Sequence, residues 1–450
     1  MAIKYTHSVT LDSDLCKGCI NCIKKCPTQA IRVRNGKAII LEGRCIDCGE
    51  CVKVCPHHAK KVICPSLDDY KQYKYLIALP APALYAQFQN VTEVEQVLAG
   101  LRGVGFDSFF EVAKAAELVS DATRRLIGQT PKPVISSACP AVVRLIKVRF
   151  PSLIEHVLPI VSPMELAARL AKEEAMAATG LKEEEIGCIF ISPCPAKMTY
   201  INNPIGSKKS WVDGVISFKD IYPALCQSMK NPDPDILETA GRIGISWAIS
   251  GGECSGLFNV ENYMSCDGIE RVIKGLEDLE DDKFENLDFV ELNACDGGCV
   301  GGVSTVENPY IARTKLRKLR KYMPVSRNRL EKSIPANMLW DKHLEYVPVF
   351  EMEGTRMEKF KAYAEVEELL KELPGLDCGS CGSPTCRCFA EDVVRGYNTA
   401  DKCVVKMQQK MEKMEIHSFA ELQNEMSASA DPLTLPTYHQ VILVKNAVGL

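Results

Sequence analysis

The chain has 450 residues, more than one hydrophobic core usually serves, so two to four domains are expected. With 46% hydrophobic and 25% charged residues and a net charge of −4, it reads as a globular protein without the electrostatic footprint of a nucleic-acid or anionic-membrane binder. Residues 1–10 lack an apolar signal segment, and the most apolar stretch, 75–88, is short and carries Pro80 and Pro82, so no membrane span and a cytoplasmic location are expected.

Cysteine is the outlier, at 22 residues. In a long chain without a signal segment that number points to metal binding in a reducing compartment, not to disulfides. Residues 1–66 hold nine of them, eight in two matching halves: Cys16-x2-Cys19-x2-Cys22-x3-Cys26-Pro27 and Cys45-x2-Cys48-x2-Cys51-x3-Cys55-Pro56. Three thiolates at this spacing let one loop wrap a cubane with its backbone N–H groups aimed at the sulfurs. The proline-pinned fourth faces away and ligates the other cluster. Cys16, Cys19, Cys22 and Cys55 are therefore expected to hold one 4Fe–4S cluster, and Cys45, Cys48, Cys51 and Cys26 the other. Zinc also uses CxxC pairs, but not two runs of four with a trailing proline. The segment reads as a bacterial two-cluster ferredoxin domain that moves electrons. His57 and His58 read as solvated surface residues.

Residues 67–325 read as α/β. Apolar runs at 75–79, 133–137, 186–191, 243–249 and 288–293 suit strands covered on both faces of a mostly parallel sheet, between helical stretches such as 165–178 and 311–321. The last helix carries Lys315, Arg317, Lys318, Arg320 and Lys321, a solvated face or a surface for an acidic protein. Cys139 follows the 133–137 strand, Cys194 the 186–191 strand, and Cys295 and Cys299 the 288–293 strand. Ligands of α/β domains bind beyond the carboxyl ends of strands, so these cysteines are expected to converge on one buried site. Gly297, Gly298, Gly301 and Gly302 allow close backbone approach. Any one of the four cysteines reads equally as a small buried hydrophobe. Four in strand-end loops, framed by Pro140, Pro193 and Pro195, do not.

Ser-Ser-Ala-Cys139-Pro, Ser-Pro-Cys194-Pro-Ala-Lys197 and Glu291-x3-Cys295-x-Gly-Gly-Cys299-x2-Gly-Gly resemble the three signature motifs of the FeFe-hydrogenase active-site domain, over residues 67–325. The resemblance implies a two-lobed α/β domain whose four cysteines bind the 4Fe–4S cubane of an H-cluster. Cys299 would also bridge to a diiron subcluster carrying CO, cyanide and azadithiolate ligands. Lys197 would donate a charge-assisted hydrogen bond to a cyanide.

The departures from the family pattern are specific. Active members usually read Thr-Ser-Cys-Cys-Pro, and the first cysteine passes protons to the bridging amine; Ala138 stands there. The two pocket methionines correspond to Ser192 and Asn293, and a pocket serine to Ala83. Glu117 is the acid nearest to the family's paired glutamates. Gly251-Gly252 resembles a family Gly-Gly near the diiron pocket, and reads equally as a plain tight turn. Ligands kept and proton relay altered resemble the sensory branch of the family, group D. Since positioned acid–base groups supply about 10²–10⁴ in rate, slow turnover is implied.

Residues 326–357 carry few periodic signals and read as a connecting segment. A helix at 358–372 leads into Leu373-Pro374 and Cys378-x2-Cys381-x4-Cys386-x16-Cys403, which resembles a small 4Fe–4S domain, placed at 358–410. Cys388 competes with Cys386, but a helix at 387–397 would turn it to another face. Residues 411–450 read as a helical stretch and a tail, 427–450, without an assigned role. Cys64, Cys188, Cys226, Cys254 and Cys266 read as small buried hydrophobes, although Cys64-Pro65 echoes a fourth-ligand Cys-Pro.

The expected whole is α/β and multidomain, with four 4Fe–4S clusters and one diiron subcluster. Implied partners are H2 and protons, a ferredoxin-like or other redox protein, a signalling protein and the maturation enzymes, with neither nucleic acid nor membrane. The expected activity is slow, sensory, reversible interconversion of H2 with protons and electrons in an anaerobic setting. The alternatives are an ordinary ferredoxin-linked hydrogenase with a different proton path, and an iron–sulfur scaffold or electron-transfer protein without the diiron unit.

Overall fold

The computed structural model describes residues 7–230 and 237–413; the 427–450 tail and most of the helical stretch before it lie outside the described residues. The chain forms two compact units. One comprises Met1–Val9, Ile46–Gly49 and Val62–Val347, the other Thr10–Cys45, Glu50–Lys61 and Pro348–Leu450. The 1–66 segment expected as one domain is thus shared between them, and most of it belongs with the C-terminal residues.

The larger unit is built on two parallel sheets. In the first, the strands run in the order Ser108–Phe109, Tyr75–Pro80, Ile186–Ser192, Gly214–Ser217, all parallel. Every residue of Ile186–Ser192 is buried, as expected of a central strand with helices on both faces. The second sheet has the order Tyr263–Asp267, Phe289–Asn293, Val134–Ile135, again parallel. Pro140, Pro163, Pro195 and Pro309 each open the helix that follows, where a missing N–H costs nothing and the fixed φ suits the first turn.

One expected strand is absent. The 243–249 run forms a short helix, Arg242–Ser246, closed by a turn. Gly244 presses this helix against the Val112–Leu126 helix so closely that a Cβ would lie 2.1 Å from the Ala113 carbonyl oxygen. A short apolar run fits a buried strand and a buried helix equally well, and here packing decides.

In the smaller unit the strands Ile31–Arg34 and Lys37–Ile40 form a hairpin across Asn35-Gly36, both at positive φ, the conformation this turn demands. The Arg356–Glu372 helix is opened by Thr355, whose hydroxyl accepts from Glu358 N while the Glu358 carboxylate accepts from Thr355 N. The Cys386–Val394 helix packs on it around Met352, Val366 and Ala390. Among the described residues no helix is long and apolar enough to cross a membrane.

Candidate active site and cluster-binding cysteines

In the larger unit the three strand ends deliver their cysteines to one cavity. Cys139 follows Val134–Ile135 and caps the Pro140–Arg149 helix; Cys194 follows Ile186–Ser192 and caps Pro195–Asn202. Cys295 and Cys299 follow Phe289–Asn293, and Cys299 begins a single tight turn. Glycines bring this third loop against its neighbours. A Cβ on Gly298 would lie 2.5 Å from Ser250 N, and one on Gly302 2.7 Å from the Pro193 carbonyl oxygen, so neither position admits a side chain.

The cavity has about 870 Å³ of empty space, part of it open to solvent, and all four cysteines and Lys197 line it. Burial pushes the Cys194 thiol up to about 12; Cys139 and Cys299 add to the rise and the Lys197 ammonium opposes it. Burial raises Cys299 as well, again opposed first by Lys197. The Lys197 Nζ stands 5.3 Å from the centroid of the Phe190 ring, and among the described residues no carboxylate pairs with it. A sulfur-rich donor set selects zinc or an iron–sulfur cluster. A structural zinc site closes tightly around its ion, whereas this space admits a polynuclear cluster with further ligands. An ammonium left without a counter-charge fits an anionic group bound beside it. The residues present therefore fit the cofactor.

Ala138, Ser192 and Asn293 also line the cavity, as does Ala83. The Ser192 hydroxyl accepts from Cys194 N at 3.2 Å, and Asn293 Nδ2 donates to Glu291 Oε1 at 2.9 Å. Glu117 does not reach the cavity. Its carboxylate accepts from Gly241 N, Arg327 N, Asn328 N and Asn328 Nδ2 and ties those loops to the helix that carries it. Gly251-Gly252 is a tight turn: a Cβ on Gly252 would lie 1.7 Å from Ser246 O.

Two carboxyl groups also line the cavity: Glu291, which opens the third motif, and Glu253, which was not singled out from the sequence. Glu291 accepts from Gly251 N, Cys254 N and Asn293 Nδ2, each at 2.9 Å. Glu253 accepts one hydrogen bond, from Ser136 Oγ at 2.6 Å, and that same oxygen accepts from Ala138 N at 3.2 Å. Burial, and after it the Glu291 charge, push the Glu253 carboxyl up to about 8. Burial raises Glu291 too, but three donors favour its charged form, so the proton resides on Glu253.

In the smaller unit Cys16, Cys19, Cys22 and Cys55 line a second cavity, of about 300 Å³. Backbone amides point at sulfur: Ala38 N to Cys16, Ala59 N to Cys55 and Ala30 N to Cys26, at 3.4, 3.3 and 3.2 Å. Cys26, Cys45 and Cys51 lie in this unit, and the Cys26 charge helps raise Cys51; Cys48 belongs to the Ile46–Gly49 stretch of the larger unit. In the C-terminal segment, burial raises the Cys381 thiol to about 12, with Cys378 and Cys403 adding to it. Cys386 N donates to Asp377 Oδ1 at 2.6 Å. Cys388 is buried and turned elsewhere, its thiol 2.8 Å from Gln29 Oε1. Cys64 bonds to Val215 O and Ser217 N and lines neither cysteine cavity.

The family model for the iron-only hydrogenase large subunit, C-terminal domain, matches residues 74–236 and 248–303, which hold all four cavity cysteines. The middle of this chain thus matches the iron-only hydrogenase family. A 4Fe-4S dicluster domain matches residues 8–56 and an Fe-S cluster model residues 373–405. Iron hydrogenase 1 of Clostridium pasteurianum is 23% identical over 391 residues, 70% of this chain and 68% of that protein. NADP-reducing hydrogenase subunit HndD of Solidesulfovibrio fructosivorans is 23% identical over 51% of this chain and 49% of its own length. A cytosolic Fe-S cluster assembly factor, the NAR1 homolog of Schizosaccharomyces japonicus, is 27% identical over 30% of this chain and 26% of its own. This chain thus spans about two thirds of the first relative and half or less of the others. A solved variant of FeFe-hydrogenase HydA1 from Chlamydomonas reinhardtii shares the fold at a TM-score of 0.50 and 16% identity, over 61% of this chain and 95% of that one.

Proposed function

We propose that this protein is a low-turnover, sensory FeFe-hydrogenase that interconverts H2 with protons and electrons. One observation carries the reading: four cysteines from three strand ends share a cavity with Lys197, an ammonium that pairs directly with no carboxylate among the described residues. Cys139, Cys194, Cys295 and Cys299 would hold the cubane, Cys299 also the diiron unit, and Lys197 would orient that unit through a charge-assisted hydrogen bond. The cofactor supplies the iron at which H2 is made or split. The chain supplies position, charge and protons. Ala138 has no proton to give, whereas Glu253 holds one at neutral pH, and Ser136 Oγ lies between its carboxyl and the Ala138 amide. Proton supply then rests on a carboxyl instead of a thiol, which supports a slow site that reports H2.

Electrons would travel through two ferredoxin-type clusters, held by Cys16, Cys19, Cys22 and Cys55 and by Cys26, Cys45, Cys48 and Cys51. A fourth cubane would sit on Cys378, Cys381, Cys386 and Cys403, and a redox or signalling protein would receive the electrons. The test is the infrared spectrum of the matured protein together with its H2 turnover. CO and cyanide bands with slow turnover are expected. Turnover as fast as that of vigorous hydrogen producers would refute the sensory reading. Absence of the bands would favour a second reading, an iron–sulfur scaffold without the diiron unit, which Ala138, Ser192 and Asn293 support.

A further inference from the structure

Lys60 is an unusual residue for its place. It opens the Lys60–Val62 strand, is 2% exposed, and its Nζ is buried without a hydrogen-bond partner among the described residues. A buried ammonium with no counter-charge is costly, so a lysine here needs an anionic neighbour. The side chain lines the cavity shared by Cys16, Cys19, Cys22 and Cys55. The other cavity residues that can carry positive charge, Lys17 and His57, are exposed, where solvent screens them.

We propose that Lys60 is an internal cation for the ferredoxin-type cluster held by Cys16, Cys19, Cys22 and Cys55, raising its reduction potential. The proposal rests on the reading of residues 8–56 as a two-cluster domain. A cubane with four thiolate ligands is a dianion when oxidised and a trianion after taking up one electron. That electron, supplied by the external reductant, resides on the cluster. A fixed positive charge beside the cluster stabilises the trianion more than the dianion, so the reduced form is favoured. The chain thereby keeps electrons on the cluster instead of passing them straight on, as a protein that registers H2 requires. Lys60 is a positioning residue of the electron path, not a catalytic one.

The test is dithionite titration of the full, cluster-loaded protein, followed by electron paramagnetic resonance of the N-terminal clusters, in wild type, Lys60→Met and Lys60→Arg. In Lys60→Met the ratio of reduced to oxidised cluster at a fixed potential should fall about tenfold, equivalent to about 59 mV for one electron. Lys60→Arg should stay close to wild type. Iron content is measured alongside. If Lys60→Met fails to retain the clusters while Lys60→Arg retains them, the charge is needed to hold the anions, and the proposal stands. Unchanged potentials in a loaded Lys60→Met overturn it. So does loss of clusters from both variants, since the side chain's shape is then what matters. Wild-type protein without iron in residues 8–56 would instead defeat the two-cluster reading itself.

Discussion

Glu253→Gln isolates the carboxyl proposed to stand in for the missing thiol. Glutamine keeps the side-chain volume and an oxygen to accept from Ser136 Oγ, so packing is preserved and only the titrating proton is lost. Burial and the neighbouring Glu291 charge move the wild-type carboxyl from 4.5 to about 8. Between those values the folded state binds more protons than the unfolded chain. Stability is therefore highest at the acidic end and falls as pH rises, by ~1.4 kcal/mol per pH unit, roughly 5 kcal/mol in full. The variant should lose that slope. Urea midpoints of the matured, anaerobic protein at pH 5, 7 and 9 should converge relative to wild type. A carboxylic-acid C=O band should fade through about pH 8 in wild type and be missing from the variant. H2 turnover should drop by about 10²–10⁴ if Glu253 alone feeds protons, and by less where water substitutes. An unchanged pH slope, or wild-type turnover in Glu253→Gln, would refute the reasoning.

Ala138→Cys should raise turnover by less than the 10²–10⁴ of a complete relay, because the carboxyl path is already in use; a rate assay at matched diiron occupancy checks this. Lys197→Met removes a positive charge that opposes burial of the Cys194 and Cys299 thiols and should leave cubane iron in place while weakening the CO and cyanide bands in the infrared. Cys386→Ser should cost about four iron atoms per chain, whereas Cys388→Ala should keep them and lower stability by ~1–2 kcal/mol through the lost buried contact with Gln29, read by iron analysis and thermal melting.

The cysteine spacings were legible because a cubane demands several thiolates within one loop, and that demand is local. The Cys388 face was legible for the same reason, since helical periodicity alone separates it from Cys386. Glu253 was not legible: its meaning depends on Ser136, 117 residues away in sequence, and on the Glu291 charge. The Arg242–Ser246 helix was missed because its apolar run carries no period that separates buried helix from buried strand. Arg32 and Arg34 alternate with apolar residues in a short strand, the pattern of a solvated face. Arg32 is in fact 3% exposed and bonded to Asp392, a partner no local pattern announces.

That same pair has a consequence for how such proteins are assembled from parts. Val33 N donates to Gly382 O at 2.8 Å, and a Cβ on Gly382 would lie 2.0 Å from Val33 O, so the two backbones mesh without room for a side chain. Asp392 answers both Arg32, at 2.6 Å, and Arg34, at 2.7 Å. A chain cut after residue 357 would remove Asp392 and Gly382, leaving both guanidinium groups without their carboxylate and the Val33 N–H without its acceptor. The ferredoxin-like segment is therefore not an interchangeable bead. Recombination that carries it into another protein must carry residues 377–403 with it, or replace both arginines.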